Sequence, residues 1–197
     1  MQPELMQEKT VVLVKPDGVK RGLIGDVVSR IEKRGLKIIA MKMVLPTEQR
    51  AKDHYPKADD WFTMVGEKTK EDLEKHGKDV KAELGTDDPT EIGKLVGKWN
   101  TDFLTSGPVV AMVVQGIYAI DMMRKIVGHT LPFKAEMGTI RGDYSVDSPL
   151  LAALQKRTVR NVVHASGDAS EAKHEVQLWF DASEINEYTR AEEDTMF

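Results

Sequence analysis

The stretch Asn161-Val162-Val163-His164-Ala165-Ser166-Gly167-Asp168 constrains this chain more than any other. It opens with apolar, β-branched residues suited to a buried strand and closes with Gly and Asp, which suit a turn into a helix. Asp168 and Glu171 stand at capping-box spacing, and Ala169, Ala172, Val176, Trp179 and Phe180 fall on one helical face. His164 is thus predicted where a strand gives way to a helix N-terminus. A phosphate arriving there meets backbone N–H groups and the positive end of a dipole. Ser166 adds a hydroxyl, and Glu175 lies at the edge of the apolar stripe, within reach of the imidazole. A histidine at a strand end is more often a hydrogen-bonded structural residue, so the rest of the chain carries the weight.

Earlier in the chain, Thr10–Val14 is a short apolar run, a buried strand that ends in the turn-forming Lys15-Pro16-Asp17-Gly18. Ile24, Val27, Val28 and Ile31 repeat at helical spacing, and Gly35 ends that helix. Leu36 to Leu45 alternates as a second strand, with Leu36, Ile38 and Ala40 on one face and Lys37, Ile39 and Met41 on the other. Thr47 caps a short helix to Tyr55, which Pro56 stops. Pro108 to Val114 is a third strand, followed by a helix from Ala119 to Val127 and a long irregular connection, Gly128 to Tyr144, of a length usually tied to function. Ser148-Pro149 opens one more helix, Leu150 to Thr158, with Lys156, Arg157 and Arg160 at its exit.

The region 66–100 differs in composition, being charged and poor in β-branched residues. It reads as a helical elaboration interrupted at Gly77, its second half capped by Asp88-Pro89-Thr90-Glu91. It has too little apolar surface to bury a core alone, so residues 1–197 are expected to form one domain. Without the elaborations the order is β-α-β, β-α-β. That is the α+β, ferredoxin-like (split βαβ) order: a four-stranded antiparallel sheet with helices on one face.

A formal net charge of −4 leaves no global basic field for nucleic acid, so anion binding must come from a local cluster. The absence of cysteine excludes disulfides and thiolate chemistry. The N-terminal MQPELMQEK has no signal-peptide core and VVAMVV is too short to span a bilayer, so a cytoplasmic protein is expected. His54, His76, His129 and His174 are scattered without metal-ligand spacing, and His174 should point away from Glu175 on its helix, so no protein-held metal is expected. Lys15, Arg124, Thr130 and Arg141 all fall in loops or at helix ends, Arg141 between glycines in Gly138-Thr139-Ile140-Arg141-Gly142-Asp143. The Arg fork matches phosphate oxygens and Lys supplies a point charge. Neither a P-loop nor a G-x-G-x-x-G follows a strand.

Val14–Asp26 (VKPDGVKRGLIGD), His54-Tyr55, Thr105–Val113 (TSGPVVAMV), Met137–Tyr144 (MGTIRGDY), NVVHASGD and Glu175–Phe180 (EVQLWF) together resemble the nucleoside diphosphate kinases. The resemblance runs in order from about residue 9 to 180. It implies transfer of the γ-phosphate of a nucleoside triphosphate to a nucleoside diphosphate, in two halves, through a phosphohistidine on His164, which would maintain nucleoside triphosphate pools. It implies that Lys15 bridges ribose and phosphate and that Asn161 binds the sugar. Arg124, Thr130 and Arg141 would hold the phosphates, Tyr55 would sit beside the transferred group, and Ser166 and Glu175 would support His164. It further implies Mg²⁺ bound through the nucleotide phosphates and a homo-oligomer, tetramer or hexamer.

Two departures accompany the resemblance: Trp61 and Phe62, candidates for the ring that stacks on the base, follow Tyr55 closely, and the interval from Asp143 to Asn161 is long. With only an aromatic face for the base, little discrimination among bases is expected. A nucleotide-binding relative without turnover and a ferredoxin-like RNA-binding module are the alternatives. The second would expose aromatics on its strands, and TVVLV and NVVHAS contain none.

Overall fold

The computed structural model describes residues 8–55, 59–191 and 193–196; Pro56, expected to stop a helix, lies outside them. The elements in order are β1 (Glu8–Val14), α1 (Pro16–Lys20), α2 (Ile24–Lys33), β2 (Lys37–Val44), α3 (Glu48–His54), α4 (Asp59–Lys75), α5 (Val80–Leu84), α6 (Pro89–Leu104), β3 (Val109–Gly116), α7 (Ala119–Val127), α8 (Ile140–Tyr144), α9 (Pro149–Leu154), β4 (Val163–Ala165), α10 (Ala169–Trp179) and α11 (Glu193–Met196). The sheet order is β2-β3-β1-β4 with every pairing antiparallel, the ferredoxin-like arrangement.

Helices cover both faces of this sheet, not one. Val12 and Val14 pack with Val27, Ile31 and Met123 beneath α2 and α7, whereas Val11 and Leu13 pack with Trp179, Leu104 and Ala51 from α10, α6 and α3. The reason is visible in β1, where Thr10 to Val14 are fully buried in succession, the signature of a strand covered on both sides. In β2 a register irregularity between Ile38 and Ala40 breaks the expected alternation. Ile39 and Ala40 both join the α10-side core, leaving Leu36 and Ile38 on the other, as a β-bulge does when it inserts one extra residue.

The Lys15–Gly18 turn is wound further into α1, with Pro16 at its first position. The connection 128–144 contains a 3-10 turn at Pro132–Lys134 and α8, whose N-cap Thr139 accepts from the Gly142 N–H. α9 is shorter than expected, ending at Leu154, and Lys156 follows with φ +51°.

The elaboration is anchored by backbone contact. A Cβ on Gly66 of α4 would fall 1.7 Å from the Pro89 carbonyl oxygen, and one on Gly93 of α6 would fall 1.9 Å from that of Phe62. The two helices therefore touch main chain to main chain. Leu73, Val80 and Ile92 form a small core there, completed by Ala153 of α9. The elaboration buries its apolar face only by sharing it with the helix that precedes β4.

Candidate active site

β4 brings His164 opposite Leu13 of β1, on the face covered by α3 and α10. One residue before β4 the backbone turns sharply. Val162 has φ +68°, and the Val163 N–H donates to the Asn161 carbonyl at 2.7 Å, closing a three-residue turn that a β-branched side chain disfavours. The surroundings impose it. The Val162 N–H donates to Asp17 Oδ2 at 3.0 Å, its carbonyl accepts the Lys15 N–H at 2.8 Å, and a Cβ on Gly18 would approach that carbonyl to 2.9 Å. The same contacts bring Lys15 to the edge of β4, where its Nζ donates to Asn161 Oδ1 at 2.9 Å. Asn161 Nδ2 in turn donates to the Thr130 carbonyl at 2.9 Å.

His164 Nε2 and Glu175 Oε1 are 2.8 Å apart, and Ser166 Oγ donates to Glu175 Oε2 at 2.7 Å. Glu175 is buried at the middle of α10, so both its oxygens serve this corner. An ionised carboxylate accepts, so Nε2 carries the imidazole proton and Nδ1 keeps its lone pair. Burial, then the charges of Lys15, Arg141 and Arg124, holds the His164 pKa well below the usual histidine range. The ring is neutral at neutral pH. Burial raises the Glu175 carboxyl, and His54 and the Ser166 hydroxyl oppose that shift.

The cations gather around the same point. Arg141 is 5 % exposed and spends two donors on backbone carbonyls: Nη1 to Gly128 at 2.7 Å and Nη2 to Val163 at 2.9 Å. Its Nε is buried with no hydrogen-bond partner. Burial, and then Arg124, lowers its pKa to about 10. Lys15 is lowered to about 8 by burial and then by Arg141, with Asp17 opposing. Among the described residues none of Lys15, Arg124 and Arg141 takes part in a salt bridge. Buried cations without a carboxylate are unfavourable until an anion arrives.

One cavity of about 930 Å³ holds His164, Lys15, Tyr55, Arg124, Thr130, Arg141 and Asn161 together. Of the two aromatic candidates, Trp61 lines this cavity, whereas Phe62 lines a separate one of about 660 Å³ on the side of Lys52 and Lys94. Ser166 and Glu175 stand behind His164 as its support. The capping at α10 differs in detail from expectation. Asp168 accepts the Ser170 and Glu171 N–H groups, but Glu171 reaches back to the Gly167 N–H at 2.7 Å, one residue earlier than in a capping box. Ala169 is exposed and takes no part in the apolar face.

Sequence reasoning missed His54. It is 4 % exposed at the end of α3, its ring edge-on to that of His164 with centroids 4.4 Å apart and its Nδ1 3.5 Å from Glu175 Oε1. Burial, and then His164, holds its pKa well below the ordinary value. The signal available was its place beside Tyr55; its partners are more than a hundred residues away. His54, His164 and Glu175 form the one trio among the described residues able to approach a metal ion together. His174, as expected, points elsewhere, 2.9 Å from the Asp53 carbonyl. Arg30 was also missed. It donates to Asp26 (2.8 Å), the Gly138 carbonyl (3.0 Å) and Asp143 (2.6 Å), and stacks on Tyr144, gripping the segment that carries Arg141. Arg157 is not a free charge at the approach. Its fork closes on the buried Asp147, with Nη1 2.5 Å from Oδ2 and Nη2 3.1 Å from Oδ1.

A sheet of this order, carrying a neutral histidine among unpaired cations, is the framework of a phosphoryl-transfer protein. The family model for nucleoside diphosphate kinase matches residues 8–70 and 93–185, and the chain belongs to that family. It is therefore an enzyme of nucleotide phosphotransfer. A nucleoside diphosphate kinase of Pyrobaculum aerophilum is 46% identical over 180 residues, 91% of this chain and 98% of that one. The crystal structure of an NDP kinase from the same organism superposes with a TM-score of 0.87 at 45% identity, covering 92% of this chain and all of that one. A Borrelia burgdorferi nucleoside diphosphate kinase, solved as a transition-state mimic with vanadate and ADP, gives 0.78 at 36% identity over 97% of each chain. A Halobacterium salinarum relative in complex with CDP gives 0.68 at 32% identity, covering 97% of this chain and 99% of that one.

Proposed function

We propose that this enzyme moves the γ-phosphate of a nucleoside triphosphate to a nucleoside diphosphate by a ping-pong route through a phosphohistidine at Nδ1 of His164. The observation that carries the proposal is the ring's hydrogen bonding: Nε2 is committed to Glu175, which leaves Nδ1 as the nitrogen open to a ligand. In the first half-reaction the Nδ1 lone pair forms a bond to the γ-phosphorus. The bond to the bridging oxygen breaks, and the diphosphate leaves as an oxyanion. In the second, a β-phosphate oxygen of the acceptor attacks the same phosphorus and the N–P electrons return to Nδ1. The Nε2 proton stays on the ring throughout, and Glu175 stabilises the positive charge that grows there.

Arg124, Arg141 and Lys15 supply charge to the phosphate oxygens, and Thr130 and Tyr55 line the same end. Phosphoryl transfer asks a protein mainly for such positioning and charge stabilisation. Asn161, tied between Lys15 and Thr130, is placed for the sugar, and Trp61 for the base. Asp168 and Glu171, which line the cavity, are spent on N–H groups at the start of α10, and Glu175 and Asp17 are spent on His164 and on the Val162 N–H. The donor set thus fits an Mg²⁺ ion that arrives on the nucleotide phosphates, where it offsets their charge.

The relatives solved with ADP and with CDP support nucleotides of both base classes as substrates. The working form is proposed to be a homo-oligomer acting in the cytoplasm beside the nucleotide pools it would maintain. Edge strand β2 supports the assembly, because Met41 and Met43 along it and Leu45 just after it are 56%, 59% and 64% exposed. A monomeric mass by light scattering at micromolar concentration would contradict that part. The route itself is tested by initial velocities with ATP at several fixed concentrations of a diphosphate. Parallel double-reciprocal lines are expected, and intersecting lines would overturn the phosphoenzyme.

A further inference from the structure

The family model leaves residues 71–92 unmatched, and the helices on either side of that gap, α4 and α6, line the same cavity as the His164 cluster. A volume of about 930 Å³ is near the upper end of small-molecule sites, which run to about 1,000 Å³. With the phosphates at Lys15, Arg124 and Arg141 and the sugar at Asn161, the proposed reading puts the base beyond Asn161, toward Thr158 and α6. The inference rests on the nucleotide orientation proposed above.

Two polar side chains stand out at the wall. Asn100, near the end of α6, and Thr158, three residues before Asn161, both line the cavity and both are half-buried. The Thr158 hydroxyl donates to Asn100 Oδ1. That bond turns the amide oxygen toward Thr158 and its nitrogen away from it. The Asn100 Nδ2 group brings two N–H donors, and no hydrogen bond from it to any described residue is present. A half-buried donor fixed by its own acceptor atom resembles the side-chain amides that read base edges elsewhere. The wall does not drift: α6 is locked to α4 by the Gly66 and Gly93 contacts, so Asn100 is carried on a rigid element.

We propose that Asn100, oriented by Thr158, is a base-recognition residue that donates an N–H to a carbonyl oxygen of the nucleobase. Guanine, cytosine and uracil carry such an oxygen; adenine offers ring nitrogens instead, and a side-chain amide reads its N7 edge by also accepting from the 6-amino group, which an oxygen turned to Thr158 does not do. A site built to donate a hydrogen bond disfavours a ligand that lacks the acceptor. The enzyme then discriminates against adenine, contrary to the flat base profile that stacking alone predicts.

The test is calorimetric binding of ADP, GDP, CDP and UDP, each with Mg²⁺, to the full chain in its unphosphorylated form. Diphosphates alone allow no turnover. The expected result is a Kd for ADP about fivefold above the other three, the scale of one net hydrogen bond. Asn100→Ala should bring the four values together, and Thr158→Val should narrow the gap by releasing the amide. Because each ratio is taken within one protein, a variant that is partly unfolded does not move it. Equal affinities in the wild type, a preference for ADP, or an unchanged ratio in Asn100→Ala would each overturn the assignment. Tight binding with a flat base profile sinks this inference alone, whereas no binding of any diphosphate sinks the nucleotide reading as well.

Discussion

The two ends of the cavity are held by different means. At the histidine end Arg141, Asn161 and His164 are fixed through main chain or buried polar contacts: Arg141 by two carbonyls, Asn161 by the Thr130 carbonyl, and His164 by a carboxylate that Ser166 also holds. At the far end the groups ride on helices α4, α6 and α9, set by apolar packing and one close helix crossing. Developing charge in a transition state demands donors that do not reorganise, and only the first kind of support supplies that. A base needs a shaped wall. Lesions at the first end should therefore remove turnover, and lesions at the second should alter which nucleotide is taken.

The largest effect short of losing His164 is expected from Arg141→Ala. It removes a buried cation at the phosphate end, and loss of one such donor elsewhere costs about 10²–10³ in rate. Steady-state kcat/KM should fall by that amount for all four diphosphates alike. A loss that depends on the base would break the division between the two ends. Glu175→Gln should lower kcat by about 10–100-fold, since an amide still accepts from Nε2 but no longer stabilises a positive ring. An unchanged kcat would show that the carboxylate only orients.

Gly93→Ala attacks the far end. The added methyl collides with the Phe62 carbonyl and must force α6 from α4, at about 1–3 kcal/mol of stability. Thermal denaturation should report that loss, while the rate at which His164 is phosphorylated by ATP in the surviving folded fraction should change less than tenfold. A collapse of that rate on a par with Arg141→Ala would mean the wall is part of the catalytic support.

The pH dependence tests the cation end more gently. Lys15 binds phosphate only when protonated, and its pKa in the free enzyme is lowered to about 8. kcat/KM should therefore decline as pH rises through about 8. His164 must be neutral to attack, and its pKa is lowered. The acid limb should then lie well below the unperturbed histidine value of about 6.5. Lys15→Arg, whose charge persists to higher pH, should move the alkaline limb upward. An alkaline limb that stays in place would assign it to another group.

The same division explains what the sequence disclosed. The His164 corner was legible because strand, turn and helix are contiguous there, and Glu175 was within one helix of the imidazole. Lys15 and Arg141 stood in turn-rich motifs that announce a close approach of backbone to ligand. His54 and Arg30 were not legible, since the partners that tie them to the site lie more than a hundred residues away: His164 and Glu175 for His54, and Gly138, Asp143 and Tyr144 for Arg30. The expected alternation in β2 failed at a bulge that period-two patterning does not encode. Burial of β1 on both faces was encoded, in TVVLV itself, but the ferredoxin-like order directs attention to one face. The basic exit of α9 was visible in the sequence, but the pairing of Arg157 with Asp147, ten residues earlier, was not. Gly66 and Gly93 gave no local signal, because a glycine required by a distant carbonyl looks like any other helical glycine.

The central claim is that the phosphate is carried by Nδ1 of His164, and it is tested most directly on the protein itself. The full chain is incubated with γ-labelled ATP and Mg²⁺, separated from nucleotide, digested at alkaline pH and mapped by mass spectrometry. The account predicts one phosphate per chain on the peptide holding His164, stable to alkali, lost in acid, discharged by added diphosphate, and absent from His164→Asn. Full labelling of His164→Asn, or an acid-stable label on another residue that added diphosphate discharges, would contradict it.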